Sequence, residues 1–224
     1  ARESFRAPSG QWVGTSGRVR TVPYNTNELD SVPEDILAYA EDSRFENALG
    51  WAPTYSSFQA FVTAMRILNG RDRTKEWLNA IQDQGVQEFP DEFLVAQAVA
   101  DGEIRAGFTN HYYVQRVIES RGSPPITTGH TVNDAGSIFN VAGAAVVDTA
   151  SDREMAENLV RHLLSAEAQE YFAVSRTFEY PAIPEVEPLD RLPSLEELDP
   201  PDVDLTELSD LQPTIELLEE VGLL

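Results

Sequence analysis

The stretch Val86 to Tyr113, VQEFPDEFLVAQAVADGEIRAGFTNHYY, decides the class of the fold. It follows a turn at Gly85, and Val86 to Phe89 reads as a short strand. A helix runs from Asp91 to Ala100 and stops at Asp101-Gly102. Ile104 to Thr109 is the next strand, and a second helix starts near Tyr112 and ends at Arg121-Gly122. Strand and helix in alternation predict an α/β architecture with a mixed or parallel sheet.

The pattern continues upstream. Val19 to Asn25 reads as a strand, and Val32-Pro33-Glu34 opens a short helix through Ala40. Leu49 to Ala52 is a further strand. Thr54-Tyr55-Ser56-Ser57 then leads into an amphipathic helix with Phe58, Phe61, Val62, Met65 and Leu68 on one face, stopped at Asn69-Gly70. A helix from Asp72 to Gln84 turns Trp77, Leu78 and Ile81 inward.

Downstream, Ser123-Pro124-Pro125 breaks the chain before a strand near Thr127. The apolar run Phe139 to Val147 reads as a fully buried strand. Helices follow over Asp152 to Leu164 and Ala166 to Val174, then a turn at Tyr180-Pro181. Pro181 to Asp204 is acidic and proline-rich and reads as a loosely structured connection, and Thr206 to Leu218 closes the chain as a helix.

Composition narrows the partners. Of 224 residues, 42% are hydrophobic, enough for a folded core. With 38 acidic against 16 basic residues the net charge is -22, which disfavours nucleic acid and anionic membranes and favours cations. Lys75 is the only lysine, a skew that predicts a haloarchaeal or other high-salt origin. Such a surface is more often a hydration device than a guide to ligand choice. There is no cysteine, which removes thiol catalysis and zinc-thiolate sites. No run approaches the ~18 apolar residues of a membrane span. The start, ARESFRAPSGQW, carries no export-signal pattern and runs straight into a strand, so we expect an N-terminal part of the protein to be missing.

No His-Glu-x-x-His helix, glycine-rich phosphate loop or Gly-x-Ser-x-Gly elbow is present, and His111, His130 and His162 fall on unrelated elements. An enzyme reading therefore has little support.

Six segments, in order, resemble the ferric-iron-binding periplasmic proteins of ABC transporters. They are Trp12-Val13-Gly14-Thr15-Ser16-Gly17-Arg18, the turn Tyr24-Asn25-Thr26, Gly50-Trp51-Ala52-Pro53-Thr54, Asn110-His111-Tyr112-Tyr113, Asn140-Val141-Ala142-Gly143, and Leu163-Leu164-Ser165-Ala166-Glu167-Ala168-Gln169-Glu170-Tyr171-Phe172. The last is common to many solute-binding proteins; the Asn-His-Tyr-Tyr tetrad is the part that points to iron. The resemblance implies a periplasmic-binding-protein type II-like fold of two α/β lobes, the second complete and the first partial. Residues 1–21 would end the first lobe and form a crossover strand, 22–142 the second lobe, and 143–224 the return to the first lobe, the acidic connection and the final helix.

The same resemblance implies the cargo. Ferric ion is small and hard and prefers anionic oxygen donors, which phenolates supply. Tyr112 and Tyr113, at the C-terminal edge of a strand, are the expected metal ligands, with Tyr55 from the turn before a helix as a third. Without the resemblance, adjacent tyrosines read as core or interface residues. Arg18, Ser56, Ser57 and Asn110 are the expected anion-binding set for a synergistic anion such as carbonate, the serines being equally readable as helix caps. Family members that use phosphate often carry asparagine where this chain has Asp91-Glu92. These acids either point away as ordinary helix-start residues, or the site uses carbonate or no anion, with Glu92 near the metal. First-lobe ligands, often His, Glu or another Tyr, would lie outside this chain. The expected partner is an ABC permease, the expected state a monomer, and the expected location extracytoplasmic, with a lipid anchor ahead of Ala1. The competing reading within the same class is a polyamine, a thiamine-like cation or an oxyanion as ligand.

Overall fold

The computed structural model describes residues 5–175 and 177–224. Its organising element is β1, Val13–Asn25, which is far longer than any other strand. Five strands pair with it, all antiparallel. The first half of β1 takes β7 (Phe139–Ala144) and β8 (Tyr180–Pro181), with Val19 opposite Phe139 and Gly17 opposite Tyr180. The second half takes β4 (Ala106–Gly107), β5 (Thr109–Asn110) and β6 (Ile126–Gly129), with Arg20 opposite Asn110 and Tyr24 opposite both Ala106 and Thr127. The parallel strands β2 (Leu49–Trp51) and β3 (Gln87–Glu88) extend the sheet through β4, giving the order β3-β2-β4-β1-β5. The sheet is mixed, as the alternation of elements predicts.

Helices α1 (Ser56–Asn69), α2 (Arg71–Asp83), α3 (Glu92–Asp101) and α4 (His111–Arg121) cover the second half of this sheet. Trp51, Phe58, Phe61, Trp77 and Phe108 meet mostly edge to face with ring centroids 5.4–6.5 Å apart. Rings of this size dominate the energy of a core. A second core joins Val95, Ala96 and Val99 of α3 to Tyr113, Val114 and Val117 of α4. The final helix α8 (Gln212–Glu220) returns to α1, where Leu217 and Leu218 are buried and the Thr63 and Thr214 hydroxyls lie 2.8 Å apart.

Four local expectations change. β1 begins at Val13, six residues before the first valine pair suggests, because pairing with β7 overrides the weak strand propensity of Gly14-Thr15-Ser16-Gly17. The strand expected over Ile104 to Thr109 divides at Phe108, since β4 faces β2 and β1 while β5 pairs with β1 alone. The helix expected up to Ala40 is a 3₁₀ turn, Ile36–Ala40, capped by Asp35. In the apolar run from Phe139, only Phe139 of β7 is buried, and the rest of the strand is half-buried or exposed.

The acidic connection is better ordered than its composition suggests. It holds a short helix, α7 (Leu195–Leu198), with a reciprocal Ser194–Glu197 capping box. Leu192 and Leu198 bury against Phe5, Val19, Phe139 and Tyr180. By contrast α5 (Arg153–Leu163) buries no residue among those described: Met155 and Leu159, one turn apart on its apolar face, are 69% and 58% exposed. After it, α6 (Ala166–Val174) leaves Tyr171 and Val174 exposed as well.

Gly17 is a glycine for steric reasons: a Cβ there would stand 2.1 Å from Cζ of Phe139, across the β1–β7 pair. Gly17→Val should therefore destabilise by about 1–3 kcal/mol or more through overpacking. Adding Phe139→Ala should recover part of that loss, a coupling that a double-mutant cycle by urea denaturation measures directly.

Candidate metal centre

β5 runs into α4 without a pause, so that Tyr112 and Tyr113 occupy the first turn of the helix at the end of a strand. Asn110 stands at the N-cap but makes no side-chain cap bond. Its amide donates to the Tyr112 hydroxyl at 3.3 Å, and its backbone N–H donates to Oε2 of Glu92 at 3.0 Å. The two tyrosine rings have centroids 4.4 Å apart. Tyr55, the N-cap of α1, brings its hydroxyl to 2.6 Å from that of Tyr113. Three phenols from two helix starts thus come together. Arg116 lies over both α4 rings, 4.9 Å from the Tyr112 centroid and 5.5 Å from that of Tyr113.

Burial pushes the Tyr113 phenol far above its ordinary range, and its hydrogen bonds to Tyr112 and Tyr55 push the same way. Without a cation the hydroxyl is held protonated. A cleft of about 570 Å³ lies between Phe93, Arg116 and Glu119 on one side and Tyr171, Ser175 and Thr177 on the other; it meets the cluster through Arg116, and none of the three tyrosines lines it. Among the described residues, no three His, Asp or Glu side chains gather as a metal site. The oxygen donors that do gather are phenols.

The remaining sequence candidates divide. Ser57 Oγ donates to Oε1 of Glu92 at 2.5 Å, so this serine faces the protein interior. Ser56 is exposed, with no side-chain hydrogen bond among the described residues. Arg18 is half-buried on β1, opposite Asn140, with no hydrogen bond or ion pair among the described residues.

Asp91 is the ordinary helix-start acid the sequence suggests, capping α3 through the N–H of Leu94. Glu92 does not point away: it is fully buried and ion-paired with Arg20 of β1. Arg20 escaped the sequence reading, although an arginine flanked by Val19 and Val22 in a strand was a signal that a buried partner exists. Its other nitrogen donates to the carbonyl of Phe108, and the guanidinium lies 4.9 Å from the Phe61 ring centroid.

His111, inside the Asn-His-Tyr-Tyr tetrad, has both ring nitrogens engaged. Nδ1 accepts the N–H of Val19 at 3.2 Å, which leaves Nε2 to donate to the carbonyl of Phe178 at 2.7 Å. The ring is a neutral strut between β1, α4 and the chain before β8. Desolvation lowers its pKa from 6.5 to about 4.

Comparison with known proteins gives the family and the fold. A family-wide profile of bacterial extracellular solute-binding proteins matches residues 19–199. The major ferric iron-binding protein of Neisseria meningitidis is 30% identical over 222 residues, covering 97% of this chain and 66% of that protein. The Fe(3+)-binding periplasmic protein of Serratia marcescens is 26% identical over 225 residues, again spanning 66% of its length. Iron-bound HitA from Pseudomonas aeruginosa superimposes with a TM-score of 0.89 at 25% identity, over 98% of this chain and 72% of that one. The fold is thus the mixed α/β two-lobe type of the periplasmic binding proteins, and the relatives are binding proteins, not enzymes. This chain spans 66% of the length of its Neisseria and Serratia relatives.

His111 makes stability pH-dependent with a definite sign. Between its ordinary 6.5 and the folded value of about 4, the unfolded chain binds a proton that the folded chain refuses. Stability should therefore fall as pH drops through that window, by up to about 1.4 kcal/mol per pH unit, and this contribution should level off below it. His111→Phe should cost about 1–3 kcal/mol for each backbone group left unpaired at pH 7 and make the acid slope shallower. Urea denaturation of both proteins across that pH range provides the check.

Proposed function

This chain belongs to the bacterial extracellular solute-binding proteins, and we propose that the protein containing it captures ferric iron between two lobes and delivers it to an ABC permease. The observation that carries this reading is the meeting of Tyr55, Tyr112 and Tyr113, with the Tyr55 and Tyr113 hydroxyls 2.6 Å apart. A cluster of phenols, one buried and two half-buried, is a poor site for a soft or monovalent cation and a good one for a hard trivalent ion, whose charge can displace their protons. A polyamine would need free carboxylates, yet the one buried acid among the described residues, Glu92, is already paired with Arg20.

The proposed sequence of events is as follows. Ferric ion enters the cleft beside α4 and binds the phenolate oxygens. Arg116 stacks over the two α4 rings and fixes their orientation. Residues 22–142 would form the lobe that carries the tyrosines, residues 1–21 the end of the first lobe and a crossover strand, and the segment from 143 the return to the first lobe, while the final helix α8 packs back on α1 of the tyrosine-bearing lobe. Closure about β1 then completes the ligand set from the first lobe. Of the anion candidates, Arg18 and Ser56 keep side chains free for an oxyanion such as carbonate, whereas Ser57 and the Asn110 N–H are engaged. The relatives support an extracytoplasmic location; a lipid anchor ahead of Ala1, a monomeric state and a high-salt, haloarchaeal source complete the proposal.

The bare face of α5 supports the two-lobe reading. Met155 and Leu159 form an exposed apolar stripe that covers nothing among the described residues, and relatives half as long again have further chain that could lie there. We therefore assign that face to the rest of the first lobe. Leu159→Asp should be near neutral in residues 1–224 alone and should cost about 2–3 kcal/mol in the full-length protein. Equal effects in both would remove the support that α5 lends.

Ferric ion added to the full-length protein should give a visible phenolate-to-iron absorption band. Tyr112→Phe and Tyr113→Phe should each weaken it and lower affinity on the order of 100-fold or more, at least the effect of losing a supporting ligand. Each phenolate formed releases one proton, so affinity in a chelator competition should fall on acidification, by up to about tenfold per pH unit for each tyrosine engaged. A colourless protein with unchanged affinity in both variants would end the iron reading.

A further inference from the structure

We propose that the buried contact between His111 and Phe178 is a pivot about which the two lobes turn, and that the ion pair Glu119–Arg191 is a clasp on the rim of the cleft that favours the closed form. This rests on the two-lobe, iron-capturing reading above and names the contacts that govern closure.

The strand β5, which leads into α4, pairs with the second half of β1. β8 pairs with the first half, where Tyr180, Leu192 and Leu198 share a core with Phe5, Val19 and Phe139. Contacts that cross from α4 to that core converge on Phe178. His111 Nε2 donates to the Phe178 carbonyl at 2.7 Å, and the His111 ring lies 5.0 Å from that of Tyr180. Two turns further along α4, Oε2 of Glu119 stands 3.9 Å from Nη2 of Arg191, whose guanidinium lies 5.0 Å from the Phe178 ring centroid. Glu119 and Phe178 both line the cleft between α4 and α6.

These contacts differ in what they cost to break. His111 is 1% exposed and Phe178 4%, so parting them would leave a donor and a carbonyl unpaired away from water, the expensive way to lose a hydrogen bond. Phe178 is also held at a φ of +53°, a left-handed conformation that is unfavourable for a bulky residue and persists where its surroundings over-determine it. Glu119 and Arg191 are the reverse case: their side chains are 55% and 39% exposed, so water replaces the pair at little cost. Motion of α6 and β8 against α4 therefore keeps the His111–Phe178 bond and changes the Glu119–Arg191 gap. Eight residues of helix put the pair roughly 12 Å from the pivot, so a rotation of about 20° would widen the gap by about 4 Å. The pivot lies one residue from Tyr112, so opening swings the far wall of the cleft away while the phenols stay with their helix. His111 is thus a positioning residue, and β1 and Phe178 together define the axis.

The test measures the separation of the lobes in the full-length protein by pulsed electron paramagnetic resonance, with spin labels on cysteines replacing the exposed Glu76 of α2 and Glu170 of α6. Glu119→Arg and Arg191→Glu each set like charges face to face. Each should shift the iron-free protein toward longer separations and speed loss of ferric ion to a chelator by about two- to fivefold, and the two together should restore most of both. Single variants with native separations, or a double variant no better than either single one, would overturn the clasp. For the pivot, the His111 Nε2 proton of the native protein should be protected from exchange in nuclear magnetic resonance spectra both with and without a bound trivalent ion, Ga(III) standing in for paramagnetic iron. Its loss in either state would overturn the pivot. His111→Phe should broaden the range of separations, whereas His111→Gln, which keeps a donor for the Phe178 carbonyl, should not; should His111→Phe fail to fold, the protected proton decides. No visible band and no change in separation on adding ferric ion would instead overturn the iron reading, while the charge swap in the iron-free protein would still decide the clasp.

Discussion

Antiparallel pairing along β1 is the constraint on which the rest of the molecule depends. One strand hydrogen-bonds to five others, and its register sets what lies on either side: Gly17 under the Phe139 ring, Val19 bonded to His111, Arg20 opposite Asn110. A slip of one residue would send Arg20 to the opposite face and strand Glu92 as an unpaired buried charge. The ion pair therefore locks the register, and the register delivers Asn110 and the tyrosines to the edge of the sheet. Structure and chemistry share one strand.

The tyrosine cluster is built with little conformational freedom. Tyr113 is almost wholly buried, Tyr112 is tied to Asn110, and Tyr55 is tied to Tyr113. Ligands held in place lose less entropy when a metal arrives. The cost of their burial falls on the phenolate form, so the site keeps its protons until a highly charged cation displaces them. On the iron reading proposed above, binding would then be selective for charge, because a weaker cation repays less of the cost of ionising the buried Tyr113 phenol.

Much of this was legible in the sequence, for physical reasons. The periodic apolar faces of α1 and α2 and the strand-helix alternation from Val86 onward carried the fold class, because they depend only on local pattern. The tyrosine pair at a strand end was visible too, although its meaning came from resemblance and not from spacing. The Gly-rich start of β1 was hidden because its strand character comes from β7, more than a hundred residues away. Glu92 was noticed but misdirected: helix-start acids usually face water, and only the tertiary approach of Arg20 turns this one inward. The meeting of Tyr55 with Tyr113 likewise depends on how α1 and α4 pack, which no local pattern encodes.

The central claim is that ferric ion is bound through phenolate oxygens of this chain. Resonance Raman scattering of the iron-loaded full-length protein, excited in its visible band, addresses that bond itself. The account predicts tyrosinate ring vibrations that shift when the protein is made with ring-deuterated tyrosine and weaken when Tyr112 or Tyr113 is replaced by phenylalanine. An iron-loaded protein with no enhanced tyrosinate vibrations would contradict it.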